Sequence, residues 1–382
     1  MRILSKPKLH IVAFDIPFPP DYGGAIDVFY KVKHLSEAGA EIYLHCPQYS
    51  DRKPSIELEQ LCQKVWYYPR QTGLSGISVT TPYMVYSRRN ANLLQNLIDV
   101  EAPILFDGVS TSYYASHTAL KNRTKILRNQ NIEQDYFAQL AEREGNILKK
   151  IYYSVEAMLL RSFENKLSHF AAFFTVALHD HAFFKDKYPA AVHEYIPSFQ
   201  PYDEVESIEG SSDYALYHGN LRLAENKEAA LFLINEVVAR TVHRFIIAGR
   251  NPGQELFEAV AKHRNCSIVA NPSMEEMDKL TANAQVHVLP TFQNTGLKLK
   301  LLHALFHGRH VLVNEAMVHG TGLEELCTVA QDGQSISAEL GRLMNVPFTK
   351  DEVARRNSVL GRFYSNKRNA EKIIRFLQQR HP

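Results

Sequence analysis

Two lysines near the start of an expected helix carry the strongest chemical signal in the sequence. In TFQNTGLKLKLLHALFHGRHVLVN (291–314) a strand ends, a polar loop follows, and a helix begins close to Gly296. Free N–H groups at a helix N-terminus suit a diphosphate, and a glycine there lets phosphate approach the backbone closely. Lys298 and Lys300 add positive charge where the helix dipole disfavours it. This conflict favours an anion site, and a lysine pair on a solvated helix face stays open as the alternative.

Two further strand ends carry candidate phosphate-binding groups. The segment YHGN (217–220) ends in Gly219 and Asn220, where the glycine permits a tight turn before the next helix. Arg222 follows in that loop, and Arg250 has the same position directly after the strand RFIIAG. Either guanidinium can pair with phosphate. An ordinary strand-to-helix loop with surface charge explains each pattern equally well, so both interpretations stay open.

A third loop follows the first expected strand and contains paired glycines. PFPPDYGGAIDVF (17–29) places Gly23 and Gly24 directly ahead of a helix. The spacing does not match G-x-G-x-x-G, so the dinucleotide fingerprint is absent. The glycines either let a ligand lie against the backbone or simply make the turn.

Patterns that would indicate a metal or a covalent nucleophile are missing. His303 and His307 are four residues apart on one expected helix, but the sequence has no HExxH motif and no apparent third ligand. No Asp-x-Asp pair, G-x-S-x-G motif or P-loop occurs. The sequence therefore predicts no metal site and no bound cofactor.

Composition restricts the class of protein. The 382 residues exceed the roughly 250–300 at which single cores stop growing, which predicts two domains. A net charge of +2 lacks the basic excess of a nucleic-acid-binding protein. The four cysteines form no CxxC pair, which is typical of buried thiols in a reducing compartment. No run of about 18 apolar residues occurs and the N-terminal segment does not resemble a secretory signal, so we expect a cytoplasmic protein.

The segment 134–168 is expected to form one long amphipathic helix. Its aromatic side chains are typical of a core position, but together with nearby basic residues they also suit a face that contacts a membrane surface. The residues concerned are Tyr152, Tyr153, Phe163, Lys149, Lys150 and Arg161.

Strand and helix patterns alternate along the chain in two series. Parallel βαβ units explain this alternation, so the fold class is α/β with two doubly wound domains. Such domains bind ligands at the carboxyl ends of their strands, in the cleft between them. The expected strands are 9–15, 40–46, 65–69, 103–108, 125–130 and 170–177, then 214–220, 244–249, 266–270, 286–290 and 310–314. An interdomain linker is expected over 194–204 and an amphipathic helix over 368–379.

Over almost its whole length the sequence resembles GT-B-fold retaining glycosyltransferases of family 4, in particular bacterial members. PFPPDYGGA resembles the family's first loop, and EYIPSFQPYD resembles its interdomain linker. RNQNIEQDYF resembles a segment often written His-Asn-x-Glu, with Gln130 in place of the histidine. YHGNLRLAENKEAALFLI and RFIIAGRNPG resemble donor-domain strand ends. NTGLKLKLLHALFHGRHVLVN resembles G-x-G-I-K-N-K-I-L-E-A-M-A-x-G-x-P-V-V, except that His303 replaces the glutamate thought to hold the donor ribose.

The resemblance implies an acceptor-binding Rossmann-like domain (1–195), a nucleotide-sugar-binding one (196–360), and a C-terminal helix (361–382) that packs back on the first. It implies metal-independent transfer of a hexosyl group with retention, from a nucleotide-diphosphate sugar to a glycan or lipid-linked acceptor. Lys298 would neutralise the leaving group, with Arg222 or Arg250 assisting. Donor binding is expected from Gly219, Asn220, Arg250, Thr295, Gly296, Leu297, Lys300 and His303, and acceptor binding from Tyr22, Gly23, Gly24 and Asn131.

Two rival hypotheses remain. One is an epimerase-like GT-B enzyme that turns over a nucleotide sugar without an acceptor. The other is an inactive nucleotide-sugar-binding subunit, which His303 favours because a neutral histidine lacks the fixed charge of a carboxylate. We expect the transferase to have no nucleic-acid partner and to act in polysaccharide biosynthesis. We also expect it to contact the inner face of the membrane.

Overall fold

The computed structural model describes residues 6–48, 51–292 and 298–380. Contacts divide the chain into two compact units, with boundaries between Pro201 and Tyr202 and between Phe363 and Tyr364. Tyr364 and the described residues after it belong to the first unit. None of the helices described has the length and apolar character needed to cross a membrane.

The first unit contains a parallel sheet of seven strands in the order β3-β2-β1-β4-β5-β6-β7. Its central strands are buried almost without a break, as expected when helices cover both faces of a parallel sheet. The strands are β1 (Lys8–Val12), β2 (Glu41–Gln48), β3 (Lys64–Pro69), β4 (Ile104–Asp107), β5 (Lys125–Asn129), β6 (Ala172–Thr175) and β7 (Val192–Tyr195). The helices are α1 (Gly23–Glu37), α2 (Ile56–Leu61), α3 (Tyr83–Tyr86), α4 (Ala91–Asp99), α5 (Glu133–Arg143), α6 (Ile147–Glu164) and α7 (Leu178–Lys187).

Two expectations for this unit are wrong in detail. The single helix expected over 134–168 is two helices, α5 and α6, because Asn146 caps a new helix. Its side chain accepts from Leu148 N at 3.0 Å and Lys149 N at 3.2 Å. The first two residues of the expected linker 194–204 belong to β7, which pairs with β6 as far as Tyr195.

The second unit contains a parallel sheet of six strands in the order β10-β9-β8-β11-β12-β13. The strands are β8 (Tyr214–Asn220), β9 (Arg244–Arg250), β10 (Cys266–Ala270), β11 (Val286–Val288), β12 (His310–Val313) and β13 (Thr328–Val329). The helices are α8 (Ala224–Phe232), α9 (Gln254–Val260), α10 (Met274–Asn283), α11 (Leu299–His307), α12 (Glu315–Val318), α13 (Gly333–Leu343) and α14 (Lys350–Phe363). The expected α/β class with two Rossmann-like sheets is confirmed.

The C-terminal helix α15 (Asn366–Arg380) packs against α1 of the first unit. Ile373 and Leu377 are buried in the same cluster as Val28 and Val32. The ring of Phe376 also meets that of Phe174 on β6 edge-on. These contacts confirm the expectation that the C-terminal helix packs on the first domain.

Four buried charges tie α1 to the sheet of the first unit. Arg128 Nη2 lies 2.7 Å from Asp27 Oδ1, and Lys31 Nζ lies 2.7 Å from Asp107 Oδ2. Asp27 Oδ1 also accepts from Phe199 N at 2.7 Å, which holds the segment after β7. Burial raises the pKa of Asp27, but the charges of Arg128 and Lys31 outweigh it and bring the pKa down to about 2. Removing one member would leave an unpaired charge in the core.

Candidate donor site and its relatives

The carboxyl ends of β8 and β9 lie side by side and form the base of the candidate site. Gly219 pairs with Gly249, and Asn220 pairs with Arg250, in register. A Cβ atom on Gly249 would overlap the carbonyl oxygen of Gly219, so only glycine fits there. Leu221 N donates to the Arg250 carbonyl at 3.0 Å, which fixes the turn that follows. The structure thus brings together three of the residues predicted for the donor, Gly219, Asn220 and Arg250.

Asn220 shapes the turn that leads from β8 into α8. Its side-chain oxygen accepts from Arg222 N at 3.2 Å, and its carbonyl accepts from Asn226 Nδ2 at 3.0 Å. The side chains of Arg222 and Arg250 are exposed at this edge of the sheet. Both guanidinium groups are therefore accessible to an anionic ligand.

Lys300 extends from the first turn of α11 to Tyr217 on β8 and Asn226 on α8. Its Nζ donates to Asn226 Oδ1 and lies 3.4 Å from the Tyr217 hydroxyl and 5.1 Å from the centre of that ring. Burial lowers the pKa of Lys300 to about 8, against the opposing charge of Glu225. Lys300 is therefore a cation held between β8 and the first turn of α8 in a partly desolvated position.

Lys298 is the residue at which α11 begins. It takes the N-cap position, and its carbonyl accepts from Leu301 N at 3.0 Å and Leu302 N at 3.1 Å. Burial lowers its pKa to about 8, and the charge of Glu225 opposes the shift. Both lysines therefore interact with the same carboxylate. The three residues predicted just before them, Thr295, Gly296 and Leu297, lie outside the described part of the chain.

Asn314 fixes the start of the loop between β11 and α11, a role that the sequence pattern did not reveal. Its side chain accepts from Thr291 N at 3.0 Å and donates to the Thr291 carbonyl at 2.7 Å. The loop is thereby attached to the end of β12. The only signal in the sequence is an asparagine directly after an apolar strand.

His303 lies on α11 in a stack of aromatic rings. Its ring is parallel to that of Tyr202, with centres 5.4 Å apart, and meets the rings of His218 and His307 edge-on at the same separation. Its Nε2 is 3.4 Å from Asp278 Oδ1. Burial lowers the pKa of His303 to about 4, so the imidazole is neutral at neutral pH. It can exchange a hydrogen bond with a hydroxyl group but supplies no charge.

These histidines do not form a metal centre. Within residues 6–48, 51–292 and 298–380, no three His, Cys, Asp or Glu side chains are arranged to hold an ion.

The predicted acceptor residues lie at the carboxyl edge of the first sheet. Tyr22 precedes α1, which begins with Gly23 and Gly24, and a Cβ atom on Gly24 would overlap the Phe14 ring. The Tyr22 hydroxyl donates to Asp15 Oδ2 at 3.4 Å. The turn after β5 contains Asn131. Because β1 and β5 both pair with β4, all four residues follow strands of one parallel sheet.

Two carboxyl groups near this edge have unusual pKa values that the sequence analysis missed. The backbone N–H of Glu133 donates to Glu164 Oε1 at 3.1 Å. Burial and the Glu164 charge raise the pKa of Glu133 to about 8, and burial raises that of Glu164 to about 7. These groups carry protons near neutral pH. Glu133 belongs to the QNIE segment, but its acidic neighbour Glu164 is 31 residues further along the chain. The pattern of the segment therefore does not reveal the pair.

Comparisons with known proteins cover both units. Residues 212–345 match the family described as "Glycosyl transferases group 1". An "Uncharacterized 44.6 kDa protein in cps region" from Klebsiella pneumoniae is 24% identical over 349 residues, covering 85% of this chain and 88% of that protein.

Two solved structures share the fold along nearly the whole chain. TarM gives a TM-score of 0.70 at 9% identity, covering 99% of this chain and 100% of that one. Sucrose-phosphate synthase from Thermosynechococcus elongatus gives 0.67 at 12% identity, covering 98% and 99%. The resemblance found in the sequence is confirmed. The chain has the GT-B fold and is similar to family 4 enzymes, and residues 212–345 of the second unit match the group 1 glycosyl transferases.

Proposed function

We propose that this enzyme transfers a hexosyl group from a nucleotide-diphosphate sugar to a glycan or lipid-linked acceptor, with retention and without a metal ion. The observation that carries the proposal is the pair Lys298 and Lys300, two partly desolvated cations at the start of α11. Lys300 contacts Asn226 in the first turn of α8, the helix that follows β8. A departing diphosphate needs positive charge that is already positioned when the bond breaks.

Lys298 is proposed to neutralise the leaving diphosphate, and Arg222 to assist it from the β8 turn. Burial keeps both lysine pKa values near 8, so the ammonium groups are charged at neutral pH but incompletely hydrated. The loss of hydration strengthens their attraction for phosphate oxygens. His303 is proposed to bind a donor hydroxyl group as a neutral imidazole. The other proposed donor-binding residues are Gly219, Asn220, Arg250, Thr295, Gly296, Leu297 and Lys300.

The acceptor is proposed to bind the first unit through Tyr22, Gly23, Gly24 and Asn131. Retention would result from attack on the face of the sugar from which the diphosphate departs, so no protein nucleophile is required. The relative from a cps region supports a polysaccharide pathway as the source of the acceptor. We propose a cytoplasmic enzyme, because nucleotide sugars are the donor class.

A thermal-shift screen of nucleoside diphosphates and their sugars tests the donor site. A ligand at 100 times its Kd should stabilise the protein by about 2.7 kcal/mol. We expect Lys298→Ala to remove most of that shift while leaving the unliganded melting temperature nearly unchanged. The matched control is Lys279→Ala, an exposed lysine on α10 paired with Glu275.

An unchanged shift in Lys298→Ala, or an equal loss in Lys279→Ala, would contradict the placement of the diphosphate. The preferred donor is then assayed with candidate acceptors in the presence of EDTA, and NMR of the product gives the anomeric configuration. Turnover without an acceptor would indicate the epimerase-like alternative. Binding without any turnover would indicate an inactive subunit, which the neutral His303 favours.

A further inference from the structure

The first unit exposes an apolar surface on α6 and on the segment 73–79. Ile147, Ile151, Val155 and Met158 are exposed and follow one another at spacings of four, four and three, so they share one face of α6. Leu148 and Tyr152 extend this face, and Leu74, Ile77 and Val79 of the neighbouring segment are also exposed. Single exposed apolar residues are ordinary, but a set this dense on one helix face marks an interaction site. We call these residues the α6 surface.

A cavity of about 560 Å³ opens in the α6 surface between the segment 73–79 and the helix. Its walls are mainly apolar, with Leu74, Val155 and Leu159 among the residues that line it. Glu156 also lines the cavity, but both of its carboxylate oxygens are occupied by backbone N–H groups of α3, each at 2.8 Å. The carboxylate therefore fixes α3 against α6 and leaves the cavity suited to hydrocarbon.

The exposed charges of α6 are all positive. Its two acids, Glu156 and Glu164, are buried, while Lys149, Lys150 and Arg161 are exposed. Lys150 and Arg161 are eleven residues apart, three helical turns, and so border the apolar face along one edge. Apolar side chains bordered by cations suit an anionic lipid surface. A second copy of the chain would bring like charges together across a two-fold axis, which disfavours a dimer on this face.

We propose that the α6 surface binds an anionic lipid bilayer, with one lipid hydrocarbon chain entering the cavity. This contact is independent of the donor site, since its residues belong to the first unit and none is proposed to bind the nucleotide sugar. Membrane binding and donor binding can therefore fail separately.

Flotation of the full-length protein with vesicles tests the surface. We expect binding to vesicles of phosphatidylcholine mixed with phosphatidylglycerol, and much weaker binding to phosphatidylcholine alone. Val79→Asp should weaken the partition about tenfold or more. Val242→Asp is the matched control, because both valines are 90% exposed and Val242 lies in the second unit. Replacing Lys149 and Lys150 by glutamine should weaken binding by roughly fivefold per lysine, on the anionic vesicles only.

Quenching by lipids with brominated chains tests the cavity. Tyr152→Trp places an indole in the cavity wall, and the parent protein gives the background from Trp66, the single native tryptophan. We expect stronger quenching of the variant than of the parent. Equal quenching would overturn the entry of a chain into the cavity.

Equal losses in Val79→Asp and Val242→Asp, or no effect of the lysine replacements, would overturn the bilayer assignment. So would a dimer in vesicle-free solution that Val79→Asp dissociates, because a second copy would then be the partner. Throughout, the donor-induced thermal shift should stay at the parent value. Its loss in Val79→Asp would show that the variant perturbs the fold.

Discussion

In the first unit, buried charges of opposite sign face one another across α1, β4 and β5, whereas in the second unit half-buried lysines lie beside strand β8. Arg128 and Asp27 are both fully buried and 2.7 Å apart. Lys300, by contrast, donates to the amide of Asn226 and lies beside a phenol ring. The pKa values differ accordingly, with Asp27 lowered to about 2 by its partners despite burial and Lys300 lowered to about 8 by burial itself.

The difference distinguishes charged groups that stabilise the fold from charged groups that are available to bind a ligand. A carboxylate whose pKa lies below its ordinary value is stabilised in its charged form by the protein itself. A lysine whose pKa lies below its ordinary value is destabilised in its charged form, and a bound anion would relieve that cost. Groups of the second kind are therefore candidates for ligand binding. Variants of the two groups should accordingly affect different measurements.

The largest expected effect is on stability, from Arg128→Met. The substitution leaves Asp27 charged and buried without its guanidinium, which should cost about 3–5 kcal/mol of unfolding free energy. The melting transition of the first unit, followed by calorimetry, gives the measurement.

Lys279→Met is the comparison variant for Arg128→Met, because Lys279 pairs with Glu275 at 2.6 Å but both are exposed. Exposed pairs contribute little, so this variant should melt like the parent. Equal melting temperatures for the two variants would mean that the buried cluster is not structural.

Lys300→Met should have the opposite profile. Without ligand, the melting temperature should change little, because the substitution removes a partly desolvated cation. Donor affinity should fall by about 1.5–3 kcal/mol, on the order of 10–100-fold, as for the loss of a charged hydrogen bond. Titration calorimetry with the preferred donor measures the affinity. If the donor affinity of Lys300→Met is unchanged and its melting temperature is lowered, Lys300 stabilises the fold, as Arg128 does, and does not bind the donor.

Local patterns predicted the sheets well. The expected strands 214–220 and 266–270 coincide with β8 and β10. Each pattern is a short apolar run with glycine or polar residues at or after its end. Such a local pattern is sufficient to locate the strand. The break between α5 and α6 was missed because the apolar periodicity continues through Gly145 and only the cap of Asn146 interrupts the helix.

Contacts between distant residues could not be predicted in this way. Arg128 and Asp27 are 101 residues apart, and His303 stacks on Tyr202, which belongs to the expected linker. A single sequence records which side chains are present but not which strands become neighbours. Lys298 and Lys300 were recognised because their conflict with the helix dipole is local. Their catalytic and binding roles stay predictions, as do those of Thr295, Gly296 and Leu297.

The smallest expected effect concerns pH and again contrasts the two units. Burial raises the pKa of Glu164 from 4.5 to about 7, so the folded first unit binds more protons than the unfolded chain between these values and loses stability as pH rises through them. Burial lowers the pKa of His303 from 6.5 to about 4, so the folded second unit binds fewer protons and loses stability as pH falls below 6.5.

Burial also lowers the pKa of His10 in the first unit to about 4, so His10 contributes to the pH dependence of the parent protein. Single variants therefore isolate the contributions of Glu164 and His303 better than the stability curve of the parent does. Relative to the parent, Glu164→Gln should gain about 1–2 kcal/mol as pH rises from about 4.5 to about 7, since glutamine keeps the acceptor for Glu133 N and removes the buried charge. His303→Gln should weaken the loss of stability as pH falls from about 6.5 to about 4, a slope of opposite sign to that of Glu164. Calorimetry of both variants across the two ranges measures the slopes. An unchanged slope of stability against pH between 4.5 and 7 in Glu164→Gln would mean that the carboxyl group is already ionised in the folded unit. The contrast between the two units would then depend on the buried ion cluster alone.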